Sequence, residues 1–162
     1  MVRRVAVLAA FASLAVAASA VAQSQSQPQT LTVTETAGGG TSDVVDHPPK
    51  SPSGGADRRL SKDDTLVITN PLRDTAGRPI GRVRASCAIT KAGGFDKAAA
   101  DCLGVFQMKA GKLYVTLPLN FAATTSNGTV LGGTGAYAGL RGTWTSVQHR
   151  NGSSTDTFTL AP

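Results

Sequence analysis

The sequence, 162 residues long, predicts a single small all-β domain. Three observations carry this expectation. Glycine stands at 18 residues, threonine is frequent and only 16% of residues are charged, a balance unlike the Glu-, Lys- and Leu-rich composition of helical bundles. Apolar and polar residues alternate over short runs, and no run follows the helical period. Turn-forming pairs such as Asn70-Pro71, Asn127-Gly128 and Asn151-Gly152 punctuate those runs. Short strands at this spacing build a β-sandwich or an up-and-down barrel.

The first 22 residues are expected to be a signal peptide rather than part of the fold. Arg3 and Arg4 form a basic start, an apolar run follows from Val5, and Ala18-Ser19-Ala20-Val21-Ala22 offers small-residue cleavage sites after Ala22 or Ala20. The apolar run is shorter than the ~20 residues needed to span a bilayer, so stable membrane insertion after processing is not expected. Loss of Arg3 and Arg4 takes the formal charge from +6 to +4. With no basic stripe interleaved with aromatics, nucleic acid is excluded as a partner. The expected location is secreted or periplasmic.

The leader at 23–29, rich in Gln and Ser, has nothing to bury and is expected to be disordered. The single domain is expected over 30–162. It opens on a strand at 30–35 with Leu31, Val33 and Glu35 on one face and Thr30, Thr32 and Thr34 on the other. A long loop is expected at 37–64, where Gly38-Gly39-Gly40, Pro48-Pro49, Pro52 and Gly54-Gly55 interrupt any apolar period. Leu66-Val67-Ile68 resumes a strand that Asn70-Pro71 is expected to end. Two half-buried strands follow. In the first, Val83, Ala85, Cys87 and Ile89 share a face; in the second, Leu113, Val115, Leu117, Leu119 and Phe121 do. Between them Cys102, Phe106 and Met108 lie on one side. After Asn127-Gly128, strands are expected at 129–131, 142–148 and 155–160, with Asn151-Gly152 as a hairpin turn.

Cys87 and Cys102 are the only cysteines. Outside the cytosol an even number of thiols points to a disulfide, and both side chains fall on the apolar side of neighbouring strands; two buried free thiols are the alternative. No metal is expected, because neither cysteine has a partner at metal-ligand spacing and His47 and His149 lie near no other ligand pair.

The stretch Val130-Leu131-Gly132-Gly133-Thr134-Gly135-Ala136-Tyr137-Ala138-Gly139-Leu140-Arg141-Gly142 resembles the GGTGxYxGARG segment of the allene oxide cyclase and dirigent-like barrels, with Leu140 where those proteins usually carry Ala. The resemblance extends more weakly over 30–160. It implies an eight-stranded antiparallel β-barrel of calycin, allene oxide cyclase-like type, resembling the small exported bacterial members. It also implies a small apolar substrate, no cofactor and homo-oligomeric assembly. The glycines themselves do not read as a phosphate cradle, since the GxGxxG spacing is missed and a strand rather than a helix follows. They read as a tight corner in which Gly133 or Gly135 takes positive φ and Tyr137 covers the barrel end.

Five residues are candidate ligand contacts: Tyr114, Tyr137, Arg141, Trp144 and Asp156. Trp144 could wall a cavity and Asp156, on the face of Phe158 and Leu160, could be an inward carboxylate. No catalytic triad or close carboxylate pair is legible, so the catalytic residues are left open. Two function classes remain. One is a cofactor-free chamber that positions an apolar substrate, as a cyclase, an isomerase or a dirigent-type coupling guide in secondary metabolism. The other is an exported binding or structural barrel without chemistry. Whether the barrel is open inside separates them.

Overall fold

The computed structural model describes residues 27–36, 38–48 and 59–162. The expected signal peptide and all but the end of the expected leader lie outside the described residues, and Gln29 already opens the first strand. The strands run β1 (Gln29–Glu35), β2 (Thr41–Val45), β3 (Arg59–Leu60), β4 (Thr65–Arg73), β5 (Pro79–Lys91), β6 (Gly93–Gly94), β7 (Ala99–Met108), β8 (Gly111–Asn120), β9 (Thr125–Gly133), β10 (Arg141–Gln148) and β11 (Ser154–Ala161). A 3-10 turn, Gly135–Tyr137, joins β9 to β10. Antiparallel pairing follows the order β1-β11-β10-β9-β8-β7-β5-β4, and β4 pairs back onto β1, closing an eight-stranded barrel. The closing seam is short, and among the described residues β2 pairs with β4 alone.

The closing seam explains a strand that runs longer than expected. Thr34 and Glu35 of β1 lie opposite Arg73 and Leu72, the chain departs from that edge after Thr36, and Thr41 of β2 resumes opposite Thr69. Pro71 sits at the gap, where its carbonyl accepts the Thr36 N–H at 3.2 Å. In a strand the N and O of one residue point to the same edge, so the N–H that proline lacks is missing where the ladder is already broken. β4 therefore continues through Asn70-Pro71, which the sequence marked as its end.

The stretch 37–64, expected as one long loop, contains β2 and β3. Their alternation is too short to register in the sequence. Val44 packs against the core and Leu60 is fully buried, while Asp43 and Arg59 are exposed. Asp64 ties this excursion at its neck: Oδ1 accepts the His47 N–H at 3.0 Å and Oδ2 accepts the Ser61 N–H at 2.7 Å. Burial alone would raise its pKa, but the hydrogen bonds from Ser61 and His47 outweigh it and hold the carboxyl below its ordinary value.

Inside the barrel, the alternation on each strand delivers the expected faces. Val33, Leu66, Leu72, Val83, Ile89, Leu113, Val115, Val130 and Leu160 are buried. Cys87 and Cys102 stand directly opposite each other on β5 and β7 and are joined as a disulfide, with Cα atoms 4.0 Å apart. Replacing both by serine should lower unfolding free energy by ~3 kcal/mol, because the crosslink closes a loop in the unfolded chain. Urea titration of the oxidised parent beside the double variant checks this, and coincident curves would show that the bond contributes nothing to stability.

Asn127-Gly128, expected as a turn, lies within β9. Gly128 faces Trp144 across the β9–β10 ladder, and a Cβ there would sit 2.9 Å from the indole and 2.3 Å from the Thr116 carbonyl oxygen. Glycine is thus present to admit the indole, not to turn the chain. The Gly-rich segment is a corner at one barrel end. Gly135 has φ of 62°, and a Cβ at Gly133 would meet Tyr137 Cβ at 2.6 Å. Tyr137 packs over this end with its hydroxyl 3.8 Å from Met108 Sδ.

Candidate functional site: an apolar cavity with a buried carboxyl pair

The barrel is not filled. At the end opposite the Gly-rich corner a cavity of about 510 Å³ opens between the β8–β9 connection, the β10–β11 hairpin and the segment that carries Phe95. That volume lies within the ~300–1,000 Å³ of small-molecule sites. Small inward residues make the space: Ala85, Gly104, Ser126 and Ser146 face the interior where larger neighbours would fill it. A Cβ on Gly104 would already meet Val115 at 3.0 Å. Phe95 and Phe121 touch edge to face at the mouth, with centroids 5.6 Å apart.

The inner end of the cavity is aromatic. Phe106 on β7 packs edge-on against Trp144 at 5.3 Å and Phe158 at 4.9 Å, and Trp144 lies nearly parallel to Phe158 at 6.1 Å. These contacts fix the indole plane. They also aim its N–H, which donates to Asp156 Oδ1 at 2.9 Å.

Asp156 is completely buried, and its Oδ2 accepts no hydrogen bond. Glu35 is its carboxyl neighbour. Val33 lies opposite Asp156 and Glu35 opposite Ser154, so Glu35 and Asp156 sit diagonally on adjoining strands with both side chains inward. Asn70 Nδ2 donates to Glu35 Oε2 at 2.6 Å, and both residues line the cavity. Burial, and then the charge of Asp156, push the Glu35 pKa from about 4.5 up to about 8, against the opposing effect of the Asn70 hydrogen bond. Burial likewise raises Asp156, partly offset by Ser146, Trp144 and Glu35. Two carboxyls this close favour one shared negative charge, which leaves a protonated acid available near neutral pH.

The five candidate contacts from the sequence do not converge. Trp144 lines the cavity and Asp156 lies behind it, bonded to the indole. Tyr114 points outward from β8 and is 39% exposed, because it alternates against the buried Leu113 and Val115. Tyr137 covers the closed end, and Arg141 is exposed at that same end, where β10 begins. Neither Tyr137 nor Arg141 reaches the cavity. Sequence reading missed the partnership of Glu35 with Asp156, although it placed Glu35 on the inward face; a carboxylate in phase with Leu31 and Val33 was the signal. Asn70 was hidden by the expectation that it ended its strand.

No family model and no curated protein sequence matches the chain. Solved structures do. A pyocyanin demethylase superposes with a TM-score of 0.62 at 19% identity, covering 82% of this chain and 100% of that one. The pterocarpan synthase dirigent protein PsPTS1 superposes with a TM-score of 0.56 at 13% identity, covering 83% and 92%. A second pterocarpan synthase dirigent protein, GePTS1, gives the same score and identity with 84% of each chain covered. At these identities the likeness concerns the backbone, and the closed antiparallel barrel of this chain is the fold of the dirigent and demethylase barrels.

Proposed function

We propose that this chain is an exported barrel that binds a small, largely apolar molecule in its open end and uses Glu35 as a general acid on it, without a cofactor. The observation that carries this reading is the pairing of Glu35 with Asp156 at the inner end of a cavity with largely apolar walls and a polar rim that includes His149 and Arg150. A carboxyl kept neutral by burial and by a neighbouring charge can give its proton to a substrate oxygen. Donation leaves Glu35 and Asp156 both ionised side by side, which drives Glu35 to take a proton back, and Trp144 holds Asp156 in place through its N–H. If Glu35 regains its proton from a carbon or oxygen elsewhere on the substrate, protons balance over a turnover. The reaction class is therefore isomerisation or cyclisation, with no oxidant or reductant consumed. The neighbouring folds act on small molecules by more than one chemistry, one being a pyocyanin demethylase and two being pterocarpan synthase dirigent proteins. Export is supported by the leader pattern and by the disulfide; among the described residues no helix is long and apolar enough to cross a membrane.

Trp144 is the only tryptophan, so a ligand that enters the cavity changes the fluorescence of a single residue. Purified protein incubated with an extract of the producing cells should retain a small molecule identifiable by mass spectrometry, and that molecule should shift Trp144 emission. Glu35→Gln should bind it and convert it ~10²–10⁴-fold more slowly. Absence of any retained molecule overturns the binding role, and equal conversion by Glu35→Gln overturns the acid.

A further inference from the structure

We propose that the molecule bound in this cavity carries oxygen functions along one edge and hydrocarbon along the other, and that Ser126, Gln148 and Ser154 read the oxygenated edge. The inference rests on the binding role proposed above and names the chemistry of its ligand. The cavity is two-sided. On β5, β7 and β8 the lining is apolar: Val83, Ala85, Phe106, Val115, Leu117 and Leu119 face the space, together with the disulfide. Asn120, at the end of β8, is the polar exception, and its Oδ1 is engaged by the Ala122 N–H at 3.0 Å. The other side is polar, in two rows fixed by the register. Ser126, Ser146 and Asp156 lie opposite one another across β9, β10 and β11; Gln148, Ser154 and Glu35 lie opposite one another across β10, β11 and β1.

Polar groups that face a barrel interior cost free energy unless they find partners. Ser146 finds one in Asp156. Among the described residues the hydroxyls of Ser126 and Ser154 and the side-chain amide of Gln148 find none, and all three line the cavity. Their donors and acceptors therefore meet whatever fills it. The rise of a strand sets the two rows ~6–7 Å apart, and neighbouring strands stand ~5 Å apart, so these groups form a strip along one wall rather than a ring around a point. A ligand that satisfies the strip presents at least two oxygens on the same edge at that spacing, while its other edge packs on Val115 and Leu117. Hydroxyl and amide groups both donate and accept, so alcohol and carbonyl oxygens suit the strip equally. Glu35 belongs to it, which makes an oxygen on that edge the one its proton reaches. A ligand with oxygens on both edges would leave one unpaired against the apolar side and lose affinity.

Isothermal titration of the processed chain with two isomeric probes tests the proposal. In 2,7-dihydroxynaphthalene both hydroxyls stand on one long edge; in 2,6-dihydroxynaphthalene they stand on opposite edges of the same apolar body. The parent should bind the 2,7 isomer ~10-fold tighter or better, the effect of about one to two hydrogen bonds. Ser126→Ala and Ser154→Ala remove hydroxyls that hold no protein partner, so the double variant should keep the parent's fold by circular dichroism. It should bind the two isomers within about threefold of each other, having lost the groups that distinguish them. Comparable affinity of the parent for both isomers, or tighter binding of the 2,6 isomer, overturns the edge assignment while leaving the cavity a binding site. A preference that persists undiminished in the folded double variant overturns the assignment as well. Failure of both isomers to bind overturns the binding role itself, and this inference with it. The isomer comparison needs only the parent, so it decides the matter even where the variant does not fold.

Discussion

Truncating Trp144 to alanine should lower the unfolding free energy by ~3–5 kcal/mol, among the largest single-residue effects available in this barrel. The indole is 7% exposed and lies among Phe106 and Phe158 with the Cβ-free backbone of Gly128 beneath it. Its removal joins a new void to the existing cavity, and the flanking rings lose contacts that no neighbour can restore. Truncation also strips Asp156 of its donor. Trp144→Phe separates the two losses. Phenylalanine keeps much of the ring contact but leaves a buried carboxyl without its N–H, which costs ~1–3 kcal/mol. That smaller deficit should shrink as pH falls, since a protonated Asp156 needs the donor less. Urea unfolding followed by far-ultraviolet circular dichroism measures both variants, the fluorophore being lost. An alanine variant within about 1 kcal/mol of the parent would mean that the aromatic cluster packs without holding the barrel together.

What the sequence revealed depended on how far along the chain each signal extends. Strands such as β5, β7 and β8 alternate over many residues, so their inward faces, and the opposition of Cys87 to Cys102, were legible. β2 and β3 were not, because a short or isolated apolar residue such as Val44 or Leu60 makes no period. Local turn chemistry misled wherever tertiary contact overrode it: Pro71 reads as a terminator but stands at a seam, and Gly128 reads as a turn but makes room for an indole. The Gly-rich corner was legible because positive φ and close approach leave few alternatives to glycine at Gly133 and Gly135. The carboxyl pair was not, for Glu35 and Asp156 are separated by nearly the whole domain, and only barrel closure makes β1 and β11 neighbours. Tyr114 and Arg141 looked functional as residue types. Strand phase turns Tyr114 outward, and position at the closed end removes Arg141 from the cavity.

Glu35→Gln should flatten the pH dependence of stability and raise the melting temperature under mildly alkaline conditions. In the folded chain Glu35 titrates at about 8, above its ordinary value near 4.5. Between those values the folded protein holds a proton that the unfolded chain has released. Stability therefore falls as pH rises through this window, and is fully present only below the lower value. Asp156, also raised, contributes in the same direction, so a residual slope should survive in the variant. Glutamine keeps an acceptor for the Asn70 amide but carries no charge at any pH, so it escapes the penalty of an ionised carboxyl beside Asp156. Above pH ~8 the variant should melt several degrees higher than the parent, a shift of ~2–8 °C for each 1 kcal/mol in domains of this order of size. Toward pH ~4, where both states of the parent are protonated, the two curves should converge. Melting followed by circular dichroism across that range decides the matter. Parallel curves, with the variant no more stable at alkaline pH, would show that Glu35 ionises as an ordinary carboxylate and that no shared proton is held inside the barrel.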